Sequence, residues 1–309
     1  MMARARQESD GDPLAPLIHG LPLRAGGFIV TLYGDVIVPR GGEVWIGNLI
    51  ETCAGLGISE TLVRTAVSRL VAAGQLIGRR SGRRGFYRLA PGAEAEFAAA
   101  ARAIYGPPEP AGWHFVVLPE TEADAQMAAL ERSGHARLRP NLAFGPDRVP
   151  LPPGVLSFAG RPSGATELLP AFAATLYDME AHARAYRAFV ARFTPLLTGS
   201  CALPGDQALT ARLLLVHAYR DALLRDPRLP DEALPPDWPG HAARALFARA
   251  YLALSPEADS HVARAFAAVA GPLPAETPAT RARQADLVYS ASTPEISAFQ
   301  DLAEETLHE

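Results

Sequence analysis

Lysine is absent from the 309 residues, so all 29 basic side chains are arginines. In a chain dominated by Ala, Gly, Pro and Arg this is a composition bias, and position rather than arginine identity must carry any functional meaning. Cysteine is scarce as well. Cys53 and Cys201 lie in different segments, with no Cys-x-x-Cys pair or neighbouring His cluster, which excludes a zinc module and a disulfide scaffold and points to a reducing compartment. No stretch approaches the ~18 apolar residues of a membrane span, and Met1 to Gly20 offers no apolar run fit for a signal peptide. A cytoplasmic protein without membrane attachment is expected. Catalytic signatures are missing too: there is no G-x-S-x-G, H-E-x-x-H or P-loop spacing, and Gly55-Leu56-Gly57-Ile58-Ser59-Glu60 lacks the third glycine of a dinucleotide loop. No catalytic residue, no metal and no resident cofactor are therefore expected.

What remains is ample for folding. With 49% hydrophobic and 20% charged residues, the chain can bury two or three cores, and its 26 Gly and 28 Pro mark loops and breaks between them. Residues 1–22 read as a loose tail. Apolar residues recur at helical spacing from Gly27 to Ile37 and stop at Pro39-Arg40-Gly41-Gly42; a second helix is expected from Val44 to Cys53. Ser59 stands where an N-cap belongs, Glu60 suits the first turn, and the helix Glu60 to Ala73 ends at Gly74. Two short segments, Gln75 to Arg80 and Arg83 to Leu89, then flank Ser81-Gly82 as a tight hairpin. That order is a winged helix-turn-helix, which with a linking helix Glu94 to Ile104 fills residues 23–105. Residues 106–177 run strand (Trp113 to Leu118), helix (Glu122 to Arg132) and two extended stretches (136–144 and 155–159), the pattern of a small ferredoxin-like domain. From 178 to 309 helices are expected at 179–197, 207–225, 241–254 and 258–269, making an all-helical C-terminal domain. The expected class is α+β and multidomain.

The net charge of −4 hides a division. Arg24 to Ala90 carries nine arginines against Asp35, Glu43, Glu51 and Glu60, a net of +5, and the remainder stands at −9. Four of those arginines, Arg79, Arg80, Arg83 and Arg84, crowd the hairpin tip, where like charges repel unless an anion lies between them. On the helix before it, Leu62, Val63, Ala66, Val67, Leu70 and Val71 form an apolar stripe and leave Thr61, Arg64, Thr65, Ser68 and Arg69 on the other surface. Arginine can fork onto guanine in the major groove, while Ser and Thr meet phosphates or base edges. Together with Ser59 these residues form the expected contact set for double-stranded DNA. A plain solvated helix face is the alternative for any one of them.

The runs Phe28-Ile29-Val30-Thr31-Leu32-Tyr33-Gly34-Asp35, Pro39-Arg40-Gly41-Gly42-Glu43-Val44-Trp45 and Leu62-Val63-Arg64-Thr65-Ala66-Val67-Ser68-Arg69-Leu70 closely resemble the PaaX-type repressors of phenylacetic acid degradation. So do His217-Ala218-Tyr219-Arg220, Leu224-Arg225-Asp226-Pro227 and Leu234-Pro235-Pro236-Asp237-Trp238-Pro239-Gly240 further along. The resemblance implies a dimeric repressor of an aromatic catabolic operon, released from its operator by phenylacetyl-coenzyme A or a related acyl-coenzyme A. For such an effector the candidates are His217, Tyr219, Arg220, Arg225 and Trp238. Arg220 shares a helical face with Leu209, Leu213, Val216 and Leu223, and a buried guanidinium needs an anion; that anion is more often a structural carboxylate, here Asp226 or Asp237, than a phosphate or thioester oxygen of a ligand. His217 has Asp221 four residues on as a local partner, and Trp238 suits a loop anchor. Two other classes compete: an enzyme acting on coenzyme A thioesters with the winged domain as tether, and an adaptor using its helical region as a partner surface.

Overall fold

A computed structural model describes residues 13–108, 111–119, 123–148, 151–198 and 203–291. The chain opens with α1 (Ala15–Ile18) and α2 (Ala25–Leu32), and the latter continues as a π-helical turn over Tyr33–Ile37 and a 3-10 turn over Val38–Arg40. Gly41 and Gly42, at φ 101° and 77°, stop this helix in a conformation that side chains resist. Next come β1 (Glu43–Trp45), α3 (Ile46–Ala54), α4 (Glu60–Ala72), β2 (Leu76–Ser81), β3 (Arg84–Leu89) and α5 (Glu94–Tyr105). The middle of the chain supplies β4 (Trp113–Val117), α6 (Ala123–Arg132), β5 (Ala136–Arg139), β6 (Leu142–Pro146), β7 (Leu156–Gly160) and α7 (Leu169–Leu176). Then follow α8 (Met179–Phe193), α9 (Pro195–Thr198), α10 (Gly205–Leu223), α11 (Pro239–Ala265), β8 (Ala267–Ala268), β9 (Gly271–Pro272) and α12 (Pro278–Ala291). The mixture of helices and small sheets agrees with an α+β, multidomain chain.

Two compact units form, and they do not follow the three successive segments expected. Among the described residues, one comprises 13–106, 191–218 and 246–291; the other comprises 107–190 and 219–245. In the first, β1, β3 and β2 make an antiparallel sheet in that order, with Trp45 opposite Phe86 and Arg80 opposite Gly85. Val44 and Trp45, expected to begin a helix, instead pair with Tyr87 and Phe86, and Val44 is fully buried there. Phe28, Ile29, Leu32, Val36, Leu49, Val63 and Val67 pack as the core of this head. Nor are residues 13–22 a loose tail: Leu14 and Leu17 are buried, and Arg192 donates to the carbonyls of Leu17 and His19 at 3.1 and 2.6 Å. Residues 1–12 lie outside the described set.

The C-terminal region also departs from an all-helical plan. β8 and β9 form a small hairpin where a helix was expected, and α11 runs unbroken through Pro256 where two helices were expected. Proline leaves one carbonyl without its helical donor, and beside this point Ser255 Oγ donates to Tyr251 O at 2.8 Å. Pro195 divides the expected helix 179–197 into α8 and α9.

In the second unit, β5, β6, β4 and β7 form an antiparallel sheet in that order. One face packs Val116 and Ala143 against Met127 and Leu130 of α6. The other carries Trp113 stacked on Phe144, at 4.5 Å between ring centroids, and the largely exposed Phe115, Leu156 and Phe158. Every residue of the edge strand β7 is exposed.

Candidate nucleic-acid interface and effector candidates

Helix α4 is capped as the sequence requires: Ser59 Oγ accepts the Leu62 N–H at 3.4 Å. Only Val63, Ala66 and Val67 of its apolar stripe are buried; Leu62 is 55% exposed, so the stripe is narrower than expected. Ser59, Thr61, Arg64, Thr65, Ser68 and Arg69 all reach solvent, a continuous polar surface along one helix. Arg64 is not a free cation, because Glu60 holds it at 2.7 Å one turn back, although both side chains are more than half exposed and such a pair is weak.

The hairpin arginines are all exposed but differ in their bonding. Arg79 forks onto Glu43 of β1, with Nη2 2.7 Å from Oε2 and Nε on Oε1. The Arg79 hydrogen bond is the main reason the Glu43 carboxyl sits below its ordinary range. Arg84 lies over the Trp45 ring, its guanidinium carbon 4.7 Å from the centroid, a cation–π contact that fixes its direction. Among the described residues Arg80 and Arg83 make no ion pair, so the tip presents two uncommitted charges around Gly82.

Behind this surface lies a charge network that sequence inspection missed. Asp35, in the π-helical turn, is fully buried and meets Arg212 at 3.0 Å and Arg283 at 3.2 Å, while the hydroxyls of Tyr251 and Tyr105 donate to it at 2.8 and 3.0 Å. Asp259 in turn takes Arg212 and Arg40, each at 2.7 Å. Burial opposes the Asp35 charge, but Arg212 and Arg283 outweigh it and hold the carboxyl below its ordinary value. Arg212 did carry a signal. It falls three residues after Leu209 and four before Val216, inside the buried stripe of α10.

The five effector candidates are divided between the two units, His217 in the first and the other four in the second. His217, in the first unit, is buried with Nδ1 2.9 Å from Thr31 Oγ1 and its ring edge-on to Phe28. Asp221 accepts from Arg225 at 2.8 Å, and Arg225 is largely exposed. Tyr219 and Trp238 belong to the second unit and are buried, packed against Phe189 and Tyr186 respectively. Arg220 is half-buried, and Asp226, one expected partner, is committed to the Tyr186 hydroxyl and the Arg228 N–H, both at 2.7 Å. Trp238 lines a cavity of about 390 Å³, together with Tyr177, Asp178, Glu180, Arg187 and Asp237. Three carboxylates there face one guanidinium, itself paired with Glu180 at 2.6 Å, which is poor chemistry for an anionic ligand.

Cys53 is buried, and burial pushes its thiol up to about 12, so it is a packing residue; Cys201 lies outside the described residues. Among the described residues no group of three metal-ligating side chains forms, and no helix is long and apolar enough to cross a membrane.

Comparison with known proteins matches the family described as PaaX-like protein to residues 24–93, and the PaaX-like protein C-terminal domain to residues 177–264. The transcriptional repressor PaaX of Escherichia coli is 31% identical over 281 residues, covering 84% of this chain and 89% of that protein. Among solved structures, an uncharacterized protein from Mycobacterium tuberculosis aligns with a TM-score of 0.49 and 22% identity, over 76% of this chain and 97% of the other. The chain thus belongs to the PaaX family, as a transcriptional regulator and not an enzyme.

Proposed function

We propose that this chain is a DNA-binding repressor whose winged helix-turn-helix lays α4 in the major groove and sets the β2–β3 wing on the flanking phosphates. The observation that carries it is the Ser59-capped α4 with its exposed Thr61, Arg64, Thr65, Ser68 and Arg69, followed directly by a hairpin tip with unpaired Arg80 and Arg83. Ser59 N-caps α4 while its neighbours reach outward, and a helix entering a groove by its N-terminal part leads with such residues. The second unit is read as ferredoxin-like because its strand order, β5-β6-β4-β7, and the helix between β4 and β5 are those of that fold; no described helix lies between β6 and β7, where a second would stand. The exposed apolar face with Phe115, Leu156 and Phe158 favours a homodimer, which would give two recognition helices for two half-sites.

The regulated genes are read as a phenylacetate catabolic operon and the releasing effector as phenylacetyl-coenzyme A or a related acyl-coenzyme A, on kinship with the repressor PaaX. Effector binding would shift the population from a DNA-competent to a DNA-incompetent geometry. His217, Tyr219, Arg220, Arg225 and Trp238 stay as effector candidates; the acidic cavity that Trp238 lines suits at most the apolar acyl end of such a ligand and not its phosphates. A gel shift on DNA upstream of the chain's own operon, with and without phenylacetyl-coenzyme A, tests this. Release of the complex is expected; retention in the presence of every acyl-coenzyme A tried would remove the effector from the account.

A further inference from the structure

Not every arginine of the wing is available to DNA. Arg79 is more than half exposed, yet the Nε–Nη2 edge of its guanidinium is taken by Glu43, whose side chain is only 11% exposed. Glu43 is itself fixed from the far side, since its Oε2 also accepts the Val269 N–H at 3.1 Å, from the segment between β8 and β9. Asn48 ties the same stretch to α3, donating to Ala265 O at 2.8 Å and accepting from Ala267 N–H at 3.0 Å. Arg88, opposite Glu43 across the β1–β3 ladder, adds a further positive charge that stabilises the carboxylate. A bidentate arginine–carboxylate pair is geometrically the same contact as arginine–phosphate, so Glu43 fills one of the two edges on which Arg79 could fork a phosphate and offsets the charge that would attract it.

We propose that Glu43 is a positioning residue that sequesters Arg79 from DNA, so the wing meets the backbone through Arg80, Arg83 and Arg84 and not through Arg79. This rests on the DNA-binding function proposed above.

The test uses the full chain and a random-sequence 30-base-pair duplex, with affinity measured from about 50 to 300 mM salt. One phosphate contact contributes about 0.9 to the slope of log affinity against log salt. Arg79→Ala is expected to leave the wild-type slope unchanged. Glu43→Gln, which keeps an acceptor for the Val269 N–H, is expected to steepen it by about 0.9, and Glu43→Gln with Arg79→Ala to restore it. A slope lowered by about 0.9 in Arg79→Ala would overturn the proposal, and that variant decides the question even if Glu43→Gln does not fold. Wild-type protein that binds no duplex at 50 mM salt would instead dispose of the DNA-binding function itself.

Discussion

Asp35 and Arg212, 177 residues apart in the chain, meet at 3.0 Å with both side chains shut off from solvent. Around them the described network holds three guanidiniums, Arg40, Arg212 and Arg283, against two carboxylates, Asp35 and Asp259. Such a cluster joins the turn that follows α2 to those residues of α10, α11 and α12 that belong to the same unit. Removing one partner of a buried pair leaves an uncompensated charge, so Asp35→Asn should cost about 3–5 kcal/mol. Arg283→Met leaves the charges balanced and should cost less. Urea unfolding of the two variants checks this order; equal losses would mean that charge balance is not what matters there.

A different protonation effect is expected in the second unit. His135 is buried beside His114, its Nε2 has no hydrogen-bond partner among the described residues, and burial, helped by the His114 charge, lowers its pKa to about 4. The unfolded chain takes up the proton near pH 6.5 and the folded one does not until about 4, so stability is full above 6.5 and falls between these values. Thermal melts at pH 7.0 and 5.0 should show this drop in the wild type and a smaller one in His135→Gln.

Contacts to phosphate and to bases should separate by their salt and sequence dependence. Arg83→Ala is expected to weaken binding to operator and random DNA alike and to lower the salt slope by about 1. Arg84→Ala should do the same, with Trp45→Ala giving part of that loss, because the ring at 4.7 Å directs the guanidinium. Salt titrations on both duplexes distinguish these from a fold defect, which would lower affinity without the slope change.

On α4, Arg64→Ala or Arg69→Ala should change preference at particular base positions, at about 1–3 kcal/mol for a bidentate base contact. Glu60→Ala frees Arg64 from its 2.7 Å intrahelical partner and should raise affinity for all duplexes modestly. Competition against single-base operator variants is the measurement; loss that is equal on operator and random DNA would return Arg64 and Arg69 to the phosphate class.

The sequence made the local devices legible. Ser59 as N-cap, Gly82 in the hairpin turn and Gly41-Gly42 as the helix stop each depend on chemistry within a few residues, and the structure has all three. Partners distant in sequence were not legible. Periodicity put Arg212 on the buried face of α10, but nothing local to it indicates Asp35 or Asp259, and the structure gives Arg212 the buried-cation role expected for Arg220. Glu43 was counted as one acid among four in a basic segment. Its fork onto Arg79 depends on the alignment of β1, β3 and β2, which spacing alone does not set. The same pairing explains why Val44 and Trp45 left the expected helix.

The central claim is sequence-specific DNA binding by the α4 surface and the wing. Fluorescence anisotropy of the full chain at 150 mM salt, on a duplex from upstream of its own operon and on random DNA of equal length, tests it most directly. Operator affinity should exceed random-DNA affinity by at least about 10³-fold, the range of specific repressors. Equal affinity for the two duplexes, or no binding to either, would contradict it.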